Sequence, residues 1–244
     1  MSFKLLTDEK ANEKLAKSVE SEWHLVGLSL APHILSGYNQ CGSYGECAKY
    51  CIGEHAGMVV QYDSILEARI RKTKLSVENP SEFKRLWRKD MLTATRKVNR
   101  EGRKLGCRNN IFSDRPWEIE FPELFTEFES CQFFDYTKIR GRVDRFLAGK
   151  FPKNYHLTYS ISEKTPSGYA AKVLSLGGTV AMAVNVSVWA KDSLPTRVKI
   201  DGKYFPTIDG DMSDLRFLDK PSHVILLRAK GNLLTEDNNF VQKL

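Results

Sequence analysis

Three cysteines crowd into "CGSYGECAKYC", at Cys41, Cys47 and Cys51; the only others in the chain are Cys107 and Cys131. Thiols at such spacing act as metal ligands, redox pairs or nucleophiles, and a single catalytic nucleophile does not explain three. The odd total of 5 cysteines does not suit a disulfide framework. Three thiolates from one loop can hold three irons of a cubane cluster, leaving the fourth iron open to a small molecule. A structural zinc takes four protein ligands, so His33, His55, Cys107 or Cys131 would have to supply the last one. The residues therefore point first to a [4Fe–4S] cluster on Cys41, Cys47 and Cys51, then to zinc, then to no metal. Cys47 and Cys51 are four apart and would share a face if one helical turn carried both.

Elements must place this loop. "HLVGLSLAP" (24–32) reads as a strand running straight into it. Residues 7–21 read as a polar N-terminal helix, 64–77 as a second helix, and 80–105 as a third. The third has Ser81 as its cap, Phe83, Leu86, Trp87, Met91 and Leu92 as its apolar stripe, and Gly106 as its stop. β-rich segments follow at 107–113, 131–137, 155–162, 179–186 and 223–229, with "RGRVDRFLAGKF" and "SGYAAKVLSLGG" as helices between them. Alternating strands and helices imply βαβ units and a parallel sheet. The expected fold is α/β, a partial, incomplete parallel βα barrel of about six strands with an extra N-terminal helix. The whole of 1–244 is read as one domain: 22–62 the first strand and cysteine loop, 63–106 basic helices, 107–231 βα units, 232–244 a C-terminal tail.

The carboxyl ends of parallel strands carry the ligand in such folds. Here those ends are polar. Asn110, Asp114, Asp135, Tyr136, Lys138, Ser160, Glu163 and Asn185 would share one rim with the cysteines and line a cofactor pocket. Lys138, Arg140 and Arg142 suit a carboxylate or phosphate. "IDGDMSDLRFLD" puts Asp209 and Asp211 either side of a glycine, a spacing for ribose hydroxyls or a divalent ion. With Asp214, Asp219, Asp114 and Asp135 they would supply a metal-dependent nuclease reading. His156 sits mid-strand between aromatics, the setting of a core histidine. P-loop, nucleophile-elbow and H-E-x-x-H motifs do not occur.

The chain has 244 residues, 41% hydrophobic, and a formal net charge of +7. That suffices for a real core. No stretch is long and apolar enough for a membrane helix, and the first residues lack an apolar signal region, so no membrane is expected and a cytoplasmic location is. Residues 64–106 hold 13 Lys and Arg against 5 Asp and Glu. Nucleic acid is an expected partner for that segment, with a phage or host protein as the other choice.

Two resemblances bear on function. A first strand, a three-cysteine loop and a βα series is the layout of the radical S-adenosylmethionine enzymes. Their usual motif is C-x3-C-x2-C, whereas this chain has C-x5-C-x3-C, and their glycine-rich stretch after the second strand has no counterpart in "CRNNIFSD". More closely, "GLSLAPHILSGYNQC", "EARIRKT", "SDRPWE", "FDYTK", "NYHLTYSISE" and "IDGDMSDLRFLD" resemble, in order, a bacteriophage family called gene product eighty-eight. This implies a phage origin, hence host cytoplasm, and points also to His156 as a site residue, but names no reaction. Together they imply an iron–sulfur protein whose open iron takes S-adenosylmethionine, with an unknown substrate. The alternative is a non-catalytic iron–sulfur or zinc protein that binds nucleic acid or protein.

Overall fold

The structure is a computed structural model that describes residues 3–11, 13–16, 21–187, 194–230 and 238–244. Nine strands form one sheet. Before the cysteine loop come strand β1 (Leu6–Asp8), a short helix α1 (Glu13–Ala16) and strand β2 (Trp23–Leu28). The loop contains helix α2 (Ile52–His55) and leads into α3 (Asp63–Glu78) and α4 (Pro80–Glu101). Then follow β3 (Lys104–Arg108), α5 (Trp117–Glu120), α6 (Glu123–Glu127), β4 (Gln132–Thr137), α7 (Arg140–Leu147), β5 (Tyr155–Ser160), α8 (Tyr169–Ser175) and β6 (Thr179–Ser187). A hairpin of β7 (Arg197–Ile200) and β8 (Lys203–Asp209) precedes the last strand, β9 (Val224–Ala229).

The spatial order is β1-β2-β3-β4-β5-β6-β9-β8-β7. From β2 to β9 the pairings are parallel and follow chain order. β8 joins β9 in parallel, while β1 and β7 add antiparallel edges. Six parallel strands in chain order match the expectation; the sheet continues beyond them on both sides. Right-handed crossovers that always step the same way put their helices on one face. The core shows this directly. Val26, Leu28, Leu105, Cys107, Phe133, Tyr155 and Leu157 pack on α4, α5 and α6 through Phe83, Trp87, Met91, Trp117 and Phe125. Leu25 and Phe134, one position out of phase, face the other way and meet Leu15, Ile111 and Leu215. The period-2 alternation of a strand separates these two cores.

The second face is closed by residues 211–219, the connection from β8 to β9. Phe217 packs on Trp23 and Phe134, with ring centroids 4.6 and 5.3 Å apart. Asp214 takes two hydrogen bonds from Arg108, at 3.0 and 2.9 Å.

Several boundaries differ from the sequence reading. The expected N-terminal helix over 7–21 begins instead as β1, and its described residues then hold a 3-10 turn, Glu9–Ala11, and the single turn α1. Leu6 to Asp8 pair with Leu28 to Val26, and an edge strand outweighs local helical pattern there. Residues 17–20 lie outside the described residues. The cap of α4 is Asn79, whose side chain accepts from the Glu82 N–H; Ser81 is already inside. The stop is Gly102, at φ 64°, the left-handed position that glycine tolerates best. Gly106 lies inside β3, where an added Cβ would sit 2.4 Å from Leu25 Cδ2. Phe83, Leu86, Trp87 and Met91 are buried as the stripe requires, whereas Leu92 faces outward.

Phe133 lies at the centre of the helix-side core, beside Trp87, Phe125 and Tyr155 at centroid distances of 6.0, 4.7 and 6.4 Å. Truncation there leaves a cavity among rigid rings. Phe133→Ala is expected to cost about 3–5 kcal/mol in urea unfolding, and a loss under 1 kcal/mol would show that the rings close the gap.

Candidate functional site

The cysteine loop leaves the carboxyl end of β2 and is tied to the ends of the next three strands. Asp114 N–H donates to Gln40 O at 2.8 Å, and Cys41 forms a parallel bridge with Asp114. Beyond β4, Lys138 N–H donates to Asp114 Oδ2 at 2.8 Å. Beyond β5, Glu163 Oε1 accepts from Glu46 N–H at 2.9 Å, and Lys164 Nζ donates to Tyr44 O at 2.5 Å. A Cβ at Gly45 would overlap the Glu163 carboxylate, so a side chain there would push that carboxylate off the Glu46 N–H.

Each cysteine occupies its own turn. Cys41 is held from both sides: His33 N–H donates to its sulfur at 3.4 Å, and the thiol donates to Phe112 O at 3.6 Å. His33 adopts φ 36°, a strained value for a non-glycine residue, and its ring Nε2 bonds Glu54 Oε2 at 2.9 Å. Cys47 lies in the 3-10 turn Glu46–Ala48 and Cys51 caps α2, so no continuous helical face carries both. Burial pushes the Cys41 thiol up to about 12, with the Asp114 carboxylate and Cys51 adding to the rise. None of the five cysteines forms a disulfide.

Cys107 and Cys131 lie in the helix-side core, on the wrong face to complete a site with the loop. Burial drives both thiols well above their ordinary range, as expected of inert core cysteines. His33 and His55 both remain in the loop, bracketing Glu54. Among the described residues, three or more Asp, Glu, His or Cys ligand atoms come within 4.8 Å of one another only at Asp8, Glu9 and His24. There the carboxylates already face Lys97 and Arg103. The three loop thiols are not such a group.

The polar rim contains much of what the sequence suggested, but many of its groups are already engaged. Asn110 Oδ1 accepts from Ser113, the Arg115 N–H and Trp117 Nε1. Asp135 is fully buried and accepts from Asn110 N–H, Asn110 Nδ2 and Tyr155 Oη. Burial raises its carboxyl to about 7. Tyr136 points to the opposite face, with the Arg108 guanidinium 4.6 Å from its ring centre. Asp114 is paired with Arg142 at 2.8 Å, and Arg142 also holds Glu118. Ser160 and Asn185 stand at the ends of β5 and β6, with Asn185 exposed. Lys138 lies over the Phe240 ring at 5.4 Å.

Every carboxylate of "IDGDMSDLRFLD" faces a guanidinium. Asp209 and Asp211 pair with Arg228, Asp214 with Arg108, and Asp219 with Arg216. Asp114 and Asp135 are also engaged, so each of the six carboxylates in the nuclease reading has a partner among the described residues.

Sequence reasoning missed the last element of the rim. Gln242 bridges Val184 beside β6, and Asn239 donates twice to Glu46, at 2.7 and 3.0 Å. Phe240 and Val241 pack on Tyr50, Ala183 and Ala229. Residues 238–242 are thus a strap across the cysteine loop. Nothing local marks "NNFVQ" for this role, because its partners lie far away along the chain.

The family model described as gene product 88 matches residues 4–243. The chain belongs to this phage family. No curated protein and no solved structure matches it. Family membership thus covers the cysteine loop, the rim and the strap together. Among the described residues, no helix is long and apolar enough to cross a membrane.

Two outcomes follow. Glu46→Ala frees the strap from the loop, so maleimide is expected to modify Cys47 faster while far-ultraviolet circular dichroism stays unchanged; equal rates would mean that the strap does not restrain the loop. His156 is mostly buried beside Arg216, its Nε2 lacks a hydrogen-bond partner, and burial lowers it to about 4. Its folded-state value lies below the unfolded 6.5, so the stability it contributes is present above pH 6.5 and is lost as pH falls toward 4. His156→Gln should flatten the acid limb of unfolding free energy against pH, by up to about 3 kcal/mol.

Proposed function

We propose that this chain is an iron–sulfur protein of the radical S-adenosylmethionine type, with Cys41, Cys47 and Cys51 holding a [4Fe–4S] cluster. One observation carries the reading. The three-cysteine loop emerges from the first of six parallel strands in chain order and is bonded to the carboxyl ends of the strands beside it. In this reading the six strands are a partial barrel, and the ligand lies where parallel strands end. When bound, such a cluster would supply an electron for the reductive cleavage of S-adenosylmethionine, held beside it by the rim.

The chain's own residues would then do three things. The His33 N–H donates to the Cys41 sulfur and orients it. Ser160 and Asn185 near the ends of β5 and β6, Lys138 after β4, and Glu163, whose buried Oε2 has no hydrogen-bond partner among the described residues, are rim groups left to meet the nucleoside and amino-acid parts. Phe240 and the rest of the strap shield the rim from water.

A second reading, a structural cluster or zinc without catalysis, is favoured by the engagement of Asp114, Asp135, Asp209 and Asp211 in internal pairs. A catalytic pocket needs polar groups to spare.

Anaerobic purification with iron and sulfide analysis separates these ideas. The expected protein is brown, with iron and sulfide in equal amounts, and Cys47→Ala loses both while keeping its circular dichroism spectrum. A colourless protein holding tightly bound zinc would sink the cluster. Adding S-adenosylmethionine to the reduced protein should perturb the cluster's electron paramagnetic resonance signal and release 5′-deoxyadenosine. An unchanged signal and no nucleoside would leave the structural reading.

A further inference from the structure

The basic segment resolves into two classes of cation. Those on the flanks of α4 are bound to acids of neighbouring elements. Lys84 meets Glu123, Arg88 meets Glu127, and Lys97 meets Asp8. Lys72 is buried and donates to Leu5 O at 2.7 Å. Those on the outward ridge are different. Arg85, Lys89, Arg96 and Arg100 are all exposed. At 3.6 residues per turn they fall within about 60° of one another around the helix and span about 22 Å along it. Arg85 pairs only with Glu82, one turn back on the same exposed surface. The side chains of Lys89, Arg96 and Arg100 make no hydrogen bond or ion pair with any described residue.

The ridge ends beside a groove. Phe3, Leu75 of α3 and Leu86 of α4 form an apolar floor, and Arg71, Arg85 and Lys89 rim it, with Glu82 the one acid. Its volume is about 500 Å³, within the range that takes a small planar ligand. Phe3 is 37% exposed and presents an aromatic face to that space.

We propose that the outer ridge of α4 and this groove bind single-stranded nucleic acid, with phosphates along Arg85, Lys89, Arg96 and Arg100 and an unpaired base over Phe3. The charge pattern selects a polyanion with regularly repeated charge, since the cations recur on one line about a turn or two apart. The neighbouring apolar groove selects a strand whose bases are free to leave the stack, which a duplex does not offer. Flanking cations already neutralised by Glu123, Glu127 and Asp8 confine the track to this one line. The proposal stands independently of the cysteine site, because it uses no residue of the rim.

Fluorescence anisotropy with a labelled mixed-sequence single-stranded oligonucleotide tests it, across a series of salt concentrations, on the full chain. About four phosphate contacts predict a slope of log K against log salt near −3 for a single strand. Lys89→Glu with Arg96→Glu and Arg100→Glu should weaken binding at low salt by about tenfold or more and reduce the slope to less than half. The same three positions as Gln give a milder version, in case charge reversal disturbs the helix. Reversing the exposed Lys150, Lys199 and Lys203 instead makes the same change in net charge and should leave binding near its original strength. Phe3→Ala should weaken binding with the slope unchanged. No binding at low salt overturns the proposal. So does an equal loss in the distant triple variant, a duplex that binds as tightly as the single strand, or polyglutamate that competes as well as the oligonucleotide.

Discussion

Asp114 holds the rim together. Its backbone bridges Cys41 and donates to Gln40, its carboxylate accepts from the Lys138 N–H, and the same carboxylate pairs with Arg142. One residue therefore joins the cysteine loop, the end of β3, the end of β4 and helix α7. Arg142 extends the connection inward to Glu118 and to Tyr155 Oη, which donates to Asp135, which accepts from Asn110. The chain of bonds crosses β3, β4 and β5 at the level where they end.

Such a network is stabilising only while it is complete. A buried charge left without its partner costs about 3–5 kcal/mol, whereas the intact set gains little over apolar packing. Its value here is geometric. Arg142 is a planar fork that meets Glu118 with two nitrogens and Asp114 with one, so the angle between α7 and the loop after β3 has little freedom. Asp135, at 0% exposure, sits where two further carboxylates share one guanidinium. Its upward displacement to about 7 follows from burial first, with only partial relief from Tyr155 and Arg142. The cysteine loop inherits this rigidity: its cysteines sit on short turns and bends, and the positions of those turns are set by the strands around them.

How far the sequence was readable depended on the range of each interaction. β2, β4, β5, β6 and β9 could be read because apolar runs with β-branched and aromatic residues declare themselves locally. α4 could be read because Phe83, Leu86, Trp87 and Met91 recur at helical spacing. β1 could not: its three residues become a strand only by pairing with β2, and the surrounding charges favour a helix in isolation. β7 and β8 were missed because β7, though it alternates, is only 4 residues long, and β8 has no fully buried residue to mark a face. At the site, the rim was legible from polar residues following strands. Which of those residues were spent was not, since the partners of Asp114, Asp209 and Asp214 are arginines remote in the chain. Composition could count the cations of 64–106, but only the fold separates those answered by Glu123 and Glu127 from those left open.

The strap has a consequence in time. Glu46 and Asn239 are 193 positions apart. During synthesis the cysteine loop leaves the ribosome well before β3, β4 and β5, and the strap that closes it emerges later still. At ordinary elongation rates that interval is about ten to forty seconds. Asn239 is missing from the loop for all of that period, and Asp114 and Glu163 for its earlier parts. Residues 238–242 can fold down over the loop only once they too have left the ribosome.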